Sequence, residues 1–286
     1  MPARVWCWTP NPVLETKFIE GRRVVSAGGK GHNVARQLCQ WGFPALSMVS
    51  NVGKDWRRAA RQDGLPIREI PIRSPSRTGW SLVDGPGNRR DFFSQDPKWK
   101  KSDWGRCNLF LRQKIRNGDW LVVAGSVPTG ARRGWWRNLF LGLKKRGVRI
   151  VVDGKGRLLR EALESGVDWT KGNLVEAEET MNQKGEGRCL ATMQKISKGR
   201  SSLMVTLGSQ GLAICHQGRA FKVPAPRIRV GDATGSGDVV TAALIYGIRK
   251  GWEMAKVAGF AVWSGSENAA RRNQVVARLK GRGVFA

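Results

Sequence analysis

The sequence contains few of the side chains that most often build metal sites and thiol-based sites. Its 286 residues include two histidines and five cysteines, and no two cysteines have C-x-x-C spacing. Cysteines and histidines at fixed, short spacings mark zinc and disulfide-exchange sites, so we expect neither here. Dispersed cysteines in odd number favour reduced thiols in a cytoplasmic protein, and we assign His32 and His216 no catalytic or metal-binding role.

The sequence also lacks a long apolar run. No segment approaches the ~20 apolar residues that a membrane span requires, and the first ten residues do not resemble a secretory signal. Apolar residues nevertheless make up 41% of the chain, which is an ordinary share for a globular protein. The length suits one large α/β domain or two small ones, and no low-complexity linker divides the chain.

Acidic residues are scarce relative to basic ones. Asp and Glu number 22 against 50 Lys and Arg, which gives a formal net charge of +28. Such a charge is typical of proteins that bind nucleotides, sugar phosphates or nucleic acid. The basic residues are spread in short pairs such as Arg22-Arg23 and Arg132-Arg133 and do not gather in one arm. We therefore favour a generally basic surface that speeds capture of small anions, while nucleic acid stays an open alternative.

Short apolar runs predict strands, and helical periodicity follows most of them. The predicted strands are 5–8, 45–50, 120–123, 149–152 and 203–206, and the predicted helices are 34–41, 56–62, 133–146, 158–163 and most of the chain after Gly237. Repeated strand–helix units indicate a parallel sheet with helices on both faces. An extended piece near 18–25 and a β-rich region at 67–93, with a hairpin signal at 84–88, predict a small added sheet.

The strongest chemical signal is the segment 231–238, which reads GDATGSGD and precedes an apolar helix. Backbone N–H groups at a helix start bind anions, helped by the helix dipole. Asp238 at the same start would repel an anion, but its carboxylate can accept a proton from an incoming hydroxyl. The alternative is an ordinary glycine-rich turn in which Asp238 only favours the helix dipole.

A second glycine-rich segment, 28–36, reads GGKGHNVAR and also precedes a helix. Gly28 and Gly29 let the backbone approach a ligand closely, and Asn33 offers a donor and an acceptor to a hydroxylated molecule. One such turn is weak support for a binding site. Two of them, one early and one late in the chain, form a more specific pattern.

Together the two segments resemble the paired signature of the ribokinase-like, or pfkB-type, carbohydrate kinases. Four more segments resemble that family in the same order: 9–12 (TPNP), 124–128 (AGSVP), 171–176 (KGNLVE) and 206–211 (TLGSQG). The resemblance extends along nearly the whole chain and is greatest to the branch with 1-phosphofructokinase and tagatose-6-phosphate kinase. It implies a three-layer α/β sandwich with a mostly parallel central sheet and a small β lid, and it implies ATP with Mg²⁺ as cofactors.

The resemblance also implies roles for single residues. The catalytic base would be Asp238, and the anion hole for the transferring phosphoryl group would be Gly235, Ser236 and Gly237. The residues expected to bind ATP and Mg²⁺ are Lys171, Asn173, Glu176, Thr206, Gly208 and Gly211. The residues expected to bind the sugar are Glu15, Gly28, Gly29, Lys30 and Asn33, with the lid arginines Arg77 and Arg90 on an existing phosphate.

Four departures from the family pattern are visible. Glu15 stands where the family usually has Asp, and the stretch from Glu15 to Gly28 is shorter than in typical members. The segments 171–173 (KGN) and 153–156 (DGKG) replace Lys-Pro-Asn and Asp-x-Ser-Gly. These changes affect the sugar side more than the phosphoryl-transfer core, and a shortened lid weakens the case for a lid-to-lid homodimer without excluding it.

The sequence thus predicts one ribokinase-like domain over 1–286, with lid elements near 16–27 and 73–95. Its expected reaction is ATP-dependent phosphoryl transfer to a sugar phosphate. Two alternatives stay open. An unphosphorylated sugar or a nucleoside could be the acceptor, which the aromatic lid residues Trp80, Phe92 and Phe93 favour. The chain could also be a non-catalytic binding protein with a kinase fold, which the charge of +28 and Glu15 favour.

Overall fold

A computed structural model gives the fold and describes residues 3–19, 21–83, 89–199 and 201–271. Within these ranges the strands are β1 (Val5–Thr9), β2 (Val13–Ile19), β3 (Arg22–Gly28), β4 (Ala45–Ser50), β5 (Ile67–Ile70), β6 (Arg77–Val83), β7 (Arg89–Phe93), β8 (Trp120–Ala124), β9 (Arg149–Asp153), β10 (Trp169–Asn173), β11 (Ser202–Thr206), β12 (Leu212–His216) and β13 (Arg219–Val223). The helices are α1 (Lys30–Gln40), α2 (Lys54–Arg61), α3 (Lys101–Lys114), α4 (Trp135–Lys144), α5 (Gly156–Glu164), α6 (Leu174–Met181), α7 (Glu186–Ser197), α8 (Ser236–Arg249) and α9 (Met254–Ala269). Over the same ranges, no helix combines the length and apolar character needed to span a bilayer.

Over the described residues, the central sheet contains nine strands in the order β13-β12-β11-β10-β9-β8-β1-β4-β5. Every neighbouring pair from β5 to β11 is parallel, whereas β12 and β13 form an antiparallel hairpin at one edge. In β1, Val5 and Cys7 point to one buried face and Trp6 and Trp8 to the other. A strand that is apolar on both faces needs cover on both, and helices supply it.

Two cores lie on opposite faces of this sheet. Helices α1, α8 and α9 pack on the face of Val5 and Cys7, and α3, α4 and α5 pack on the face of Trp6 and Trp8. The three layers confirm the predicted α/β sandwich with a mostly parallel sheet.

A second sheet, which we call the lid, contains four strands in the order β3-β2-β6-β7. The single extended piece predicted near 18–25 was wrong, because β2 and β3 are two antiparallel strands. The left-handed backbone of Gly21, with φ of 77°, lies in the turn between them. The hairpin signal predicted at 84–88 lies outside the described residues.

The start of α4 depends on a carboxylate from the neighbouring helix α5. Gly134 precedes α4 and has no side chain to cap it. Glu161 instead accepts hydrogen bonds from the backbone N–H groups of Gly134 (2.9 Å), Trp136 (2.9 Å) and Arg137 (3.1 Å). First-turn N–H groups have no partner within their own helix, and the helix dipole favours a negative charge there. Glu161, which is buried, therefore fixes α4 against α5.

We expect Glu161→Ala to lower the free energy of unfolding by about 2–4 kcal/mol, because buried N–H groups would lose a charged acceptor. Glu164→Ala, at an exposed position of the same helix, is the matched control and should change it by less than about 0.5 kcal/mol. Urea denaturation at neutral pH measures both variants. Equal losses in the two would show that Glu161 does not anchor α4.

Candidate active site

The carboxyl ends of the parallel strands meet at one edge of the central sheet. Asn11 follows β1, Ser126 follows β8, Asp153 ends β9 and Asn173 ends β10. In open α/β sheets, this edge is the usual place for a ligand, because the loops there border a crevice. The amino-terminal end of α8 reaches the same edge, since Thr241 donates a hydrogen bond to Asp153 (2.6 Å).

Asp238 lies in the first turn of α8, and its side chain is buried. One carboxylate oxygen, Oδ2, accepts a hydrogen bond from Asn33 Nδ2 at 2.7 Å. Burial raises the pKa of Asp238 to about 6, although the nearby charge of Lys30 acts to lower it. A carboxylate with this pKa is ionised at neutral pH and is a better proton acceptor than an exposed one.

The turn before α8 holds the predicted anion hole. Gly235 has a left-handed backbone with φ of 76°, and the N–H of Ser236 closes the turn on the carbonyl oxygen of Ala233 (3.1 Å). Asn268 of α9 supports this turn by donating to Thr234 O and Ser236 Oγ. The Ser236 N–H is thus occupied in this arrangement, whereas the N–H of Gly237 lies in the first helical turn, which lacks intrahelical acceptors.

A lysine ammonium lies against the same helix start. A Cβ atom at Gly237 would be only 2.9 Å from Lys171 Nζ, so glycine is what allows this approach. Lys171 is buried, and its Nζ donates to Asp153 Oδ2 at 3.0 Å. The start of α8 therefore combines backbone donors with a full positive charge.

Asp153 is fully buried and joins two lysines. Besides Lys171, its carboxylate faces Lys30 Nζ at 3.4 Å. Burial acts to raise the pKa of Asp153, but Lys171 and Lys30 outweigh it and lower the pKa to about 2. The charge of Asp153 in turn raises the pKa of Lys30. Lys30 is therefore held charged beside Asp238, and the Lys171 ammonium lies on the other oxygen of Asp153.

Asn173 and Glu176 form a reciprocal cap at the start of α6. The Glu176 N–H donates to Asn173 Oδ1 (2.9 Å), and the Asn173 N–H donates to Glu176 Oε2 (2.9 Å). The other carboxylate oxygen, Glu176 Oε1, lies 3.9 Å from Lys30 Nζ. The structure thus brings these two predicted residues to the same lysine that contacts Asp153.

A cavity of about 720 Å³ opens on the other side of Gly237. Three predicted residues, Thr206, Gly208 and Gly211, line it together with apolar side chains of α8 and α9 such as Val240 and Val262. Asn173, Ser236 and Gly237 also border it. The cavity is therefore continuous with the anion hole.

The first glycine-rich segment allows α1 to begin against the end of β1. A Cβ at Gly29, whose φ is 138°, would lie 2.4 Å from Thr9 Cγ2, and a Cβ at Gly31 would lie 2.5 Å from the carbonyl oxygen of Trp8. This close approach places Lys30 beside Asp153 and Asn33 beside Asp238. Gly28 ends β3 and pairs with Val13, so it links the lid to this segment.

The amide of Asn33 is oriented by an arginine on the next turn of α1. Arg36 Nη2 donates to Asn33 Oδ1 (3.2 Å), which leaves the amide Nδ2 to face Asp238. Arg36 Nη1 donates to Asp63 Oδ1 (2.9 Å). Burial acts to raise the pKa of Asp63, but the hydrogen bond from His32 and the charge of Arg36 outweigh it and lower the pKa.

His32 completes this network on the side away from Asp238. Its Nε2 lies 2.9 Å from Asp63 Oδ2 and its Nδ1 lies 2.8 Å from Ser47 Oγ. Burial lowers the pKa of His32, so the ring is neutral at pH 7. Because the Asp63 carboxylate can only accept, Nε2 carries the proton and Nδ1 accepts from the Ser47 hydroxyl.

The lid places its predicted residues on two different faces. Arg77, Ser81 and Glu15 share one face, where Ser81 Oγ donates to Glu15 Oε1 (3.2 Å). Arg90 pairs with Leu82 and therefore lies on the opposite face. The structure brings Arg77 to the end of β8, where Nη1 donates to Ser126 Oγ (3.0 Å), and it does not bring Arg90 there.

Five residues of this site were missed by sequence reasoning: Asn11, Arg36, Asp96, Ser126 and Asp153. Asn11 and Ser126 lie in segments that were noticed only for their resemblance, and Asp153 begins the altered DGKG segment. A polar residue at the end of a buried strand, or within two residues after it, was the signal that could have identified these three. No local signal identifies Asp96, whose partners Asn11 and Arg77 lie far away in sequence. Arg36 lies one helical turn after Asn33, and that spacing could have identified it.

Comparisons with known proteins agree with this fold. A sequence model described as pfkB family carbohydrate kinase matches residues 9–276. The tagatose-6-phosphate kinase of Staphylococcus epidermidis is 25% identical over 232 residues, which cover 78% of this chain and 74% of that protein. The chain also superposes on two solved structures. Phosphofructokinase-2 from Escherichia coli, crystallised with substrates and products, gives a TM-score of 0.86 at 21% identity, covering 96% of each chain. A possible 1-phosphofructokinase from Thermotoga maritima gives 0.81 at 18% identity, covering 94% of this chain and 93% of that one.

We expect Asp238→Asn to raise the free energy of unfolding at pH 8 by about 1–3 kcal/mol, because the folded state then no longer buries an ionised carboxylate. The pKa of about 6 in the folded protein lies above the unfolded value of 3.8. The contribution of Asp238 to the free energy of unfolding is therefore fully present below the unfolded pKa of 3.8. It is lost as the pH rises through the folded pKa of about 6.

The gain should accordingly disappear near pH 4, where Asp238 is largely protonated in the folded protein. Denaturant titrations at the two pH values measure it, and Asp55→Asn on the exposed surface of α2 is the control. A gain of the same size at both pH values would contradict a raised pKa.

Proposed function

The chain belongs to the pfkB family of carbohydrate kinases, and on this premise we propose that it transfers the terminal phosphoryl group of ATP to a hydroxyl of a sugar phosphate. One observation carries the proposal. A buried carboxylate with a pKa of about 6, Asp238, lies at a helix start beside two charged lysines. The sugar phosphate is proposed because the relative from Staphylococcus epidermidis is named for such a substrate and because Arg77 faces the site.

Asp238 is proposed as the base that accepts the proton of the attacking hydroxyl. Its burial keeps water away from the carboxylate, and its pKa lies close enough to neutrality for proton transfer in both directions. Asn33 holds one carboxylate oxygen, so the other is available to the substrate. Removal of this proton leaves the substrate oxygen with a lone pair that can attack phosphorus.

The start of α8 is proposed to stabilise the charge that develops during transfer. Donors fixed before the reaction need no reorganisation as charge builds on the phosphoryl oxygens. Gly235 and Gly237 supply backbone N–H groups, and Lys171 and Lys30 supply full charges. The Ser236 N–H would join them only by leaving its bond to Ala233.

The cavity lined by Thr206, Gly208 and Gly211 is proposed to hold the nucleoside of ATP. Its apolar walls suit a purine ring, and its border with Gly237 puts the phosphates at the anion hole.

The side chains present also fit Mg²⁺ bound together with ATP. Among the described residues no cluster of three ligating side chains exists. A magnesium ion held by one or two carboxylates and by substrate phosphates needs no such cluster. Glu176, with one oxygen used in the cap and one facing Lys30, and Asn173 are the residues that would hold it, directly or through water. When bound, the ion would neutralise charge on the phosphates.

The sugar is proposed to lie between the first glycine-rich segment and the lid. Lys30 and Asn33 approach from α1, and Glu15 and Arg77 approach from the lid. Arg77, Ser126 and Asn11 together form a group of donors suited to a phosphate. Arg90 cannot share a ligand with Arg77 in this arrangement, because it lies on the other face of the lid.

We expect the purified protein with Mg²⁺ and ATP to phosphorylate one of tagatose 6-phosphate, fructose 6-phosphate or fructose 1-phosphate. Asp238→Asn should lower kcat about 10²- to 10⁴-fold, which is the usual contribution of a general base. A coupled assay of ADP release measures both. Turnover limited to ribose, fructose or adenosine would contradict the sugar phosphate, and ATP binding without turnover of any acceptor would contradict the kinase activity.

We expect Arg36→Met to lower kcat and to move the acidic limb of the kcat/KM profile above pH 6. Without Arg36 the Asn33 amide loses its fixed orientation, and its hydrogen bond no longer lowers the pKa of Asp238. Arg36→Lys should restore part of the activity. Arg61→Met, at an exposed position of α2, is the control and should change neither quantity. A fall in kcat with an unmoved acidic limb would show that Arg36 acts only on stability.

A further inference from the structure

An acidic side chain occupies the group of donors that the proposed function assigns to a phosphate. Asp96 follows β7, and its Oδ1 accepts from Arg77 Nη1 at 3.0 Å and from Asn11 Nδ2 at 2.7 Å. Ser126 Oγ lies 3.0 Å from both of these nitrogen atoms. One carboxylate oxygen of the chain is thus centred among an arginine, an amide and a hydroxyl.

The donors around Asp96 are more deeply buried than Asp96 itself. Asn11 is 5% exposed, and the Arg77 side chain is 16% exposed and packs over the ring of Phe93 at 5.0 Å. The Asp96 side chain is 39% exposed. Turning Asp96 out toward solvent would restore its hydration at little cost, while Arg77 and Asn11 would keep their positions.

Two buried polar atoms next to Asp96 lack a partner in the part of the chain that the structure describes. They are Arg77 Nε, a donor, and Asn11 Oδ1, an acceptor. Unsatisfied buried groups are costly and point to a missing ligand. A phosphorylated sugar offers both an anionic acceptor and hydroxyl donors, which a carboxylate of the protein does not.

We propose that Asp96 is a specificity-determining residue that competes with the phosphate of the acceptor for Arg77 and Asn11. This inference rests on the proposed function and adds that the phosphate binds only after Asp96 has left these donors. A carboxylate and a phosphate use the same charge-assisted hydrogen bonds to arginine, so one excludes the other. An unphosphorylated sugar has no phosphate to bind Arg77, so Asp96 does not affect its binding.

The consequence is a selective weakening of binding. A phosphorylated acceptor must break the Asp96–Arg77 pair in order to bind, which raises its KM. The corresponding free sugar does not break this pair, so its KM is not raised. The effect is on binding alone, since Asp96 lies outside the group of Asp238, Lys30 and Lys171 that handles the proton and the transferring phosphoryl group.

The test compares the wild type with Asp96→Asn and Asp96→Ala. We expect the KM for the sugar phosphate to fall about 10-fold in Asp96→Ala and less in Asp96→Asn, which keeps a neutral acceptor, with kcat within about twofold of the wild type. The KM for the free sugar should not change. Asp55→Asn makes the same chemical change next to Arg58, outside this group of donors, and should leave both KM values unchanged.

A second measurement separates this inference from the proposed function. Calorimetric titration with inorganic phosphate needs no turnover, and we expect about 10-fold tighter binding to Asp96→Ala than to the wild type. That gain should disappear when Arg77→Met is added. Equal phosphate affinity in the wild type and Asp96→Ala would overturn the role of Asp96 even if the enzyme phosphorylates a sugar phosphate. Tighter binding that depends on Arg77 would support it even if no acceptor tested is turned over.

Discussion

The site depends on the balance of buried charges around Asp153. This carboxylate is removed from water and is stabilised only because Lys171 and Lys30 lie 3.0 and 3.4 Å away. It positions the ammonium groups of both lysines at the start of α8, and they act to lower the pKa of the buried Asp238. If Asp153 were neutral, the lysines would repel each other and would lose their fixed positions at the anion hole. The parallel sheet makes this arrangement available, because strand ends that are distant in sequence meet at one edge.

Much of the fold could be predicted because the signals were local. The predicted strand 45–50 has the same bounds as β4, and the two glycine-rich segments lie at the starts of α1 and α8. The prediction failed where local pattern was weak. Helix α3 mixes charged and apolar residues around Trp104 and was not predicted, although one of its faces is buried. The lid strands β2 and β3 were merged because the turn between them carries a single glycine signal, Gly21.

The site divides in the same way. Asp238 and Gly237 were predicted from sequence because an anion-binding helix start has a local signature, and both lie in the first turn of α8. Asp96 was not, because its contact with Arg77 exists only in the folded chain. Arg36 was not predicted either, although its contact with Asn33 spans only one helical turn. Arg90 shows the opposite case. Its place in a lid strand suggested a role beside Arg77, but the alternation of side chains along β7 places it on the other face. A one-residue difference in register decides which face of the lid an arginine side chain occupies.

Several of the acidic residues are buried in the fold, where they accept hydrogen bonds. Asp119 accepts hydrogen bonds from the backbone of Arg4 and Arg116 and from the indole of Trp6. Like Glu161 at the start of α4, it is a buried acceptor for N–H groups that have no other partner nearby. A carboxylate used in this way cannot be lost without leaving buried donors unsatisfied, whereas a surface carboxylate can be. Such buried acceptors are few, and the charge of +28 comes from the large number of Lys and Arg. This positive charge attracts anions such as phosphates.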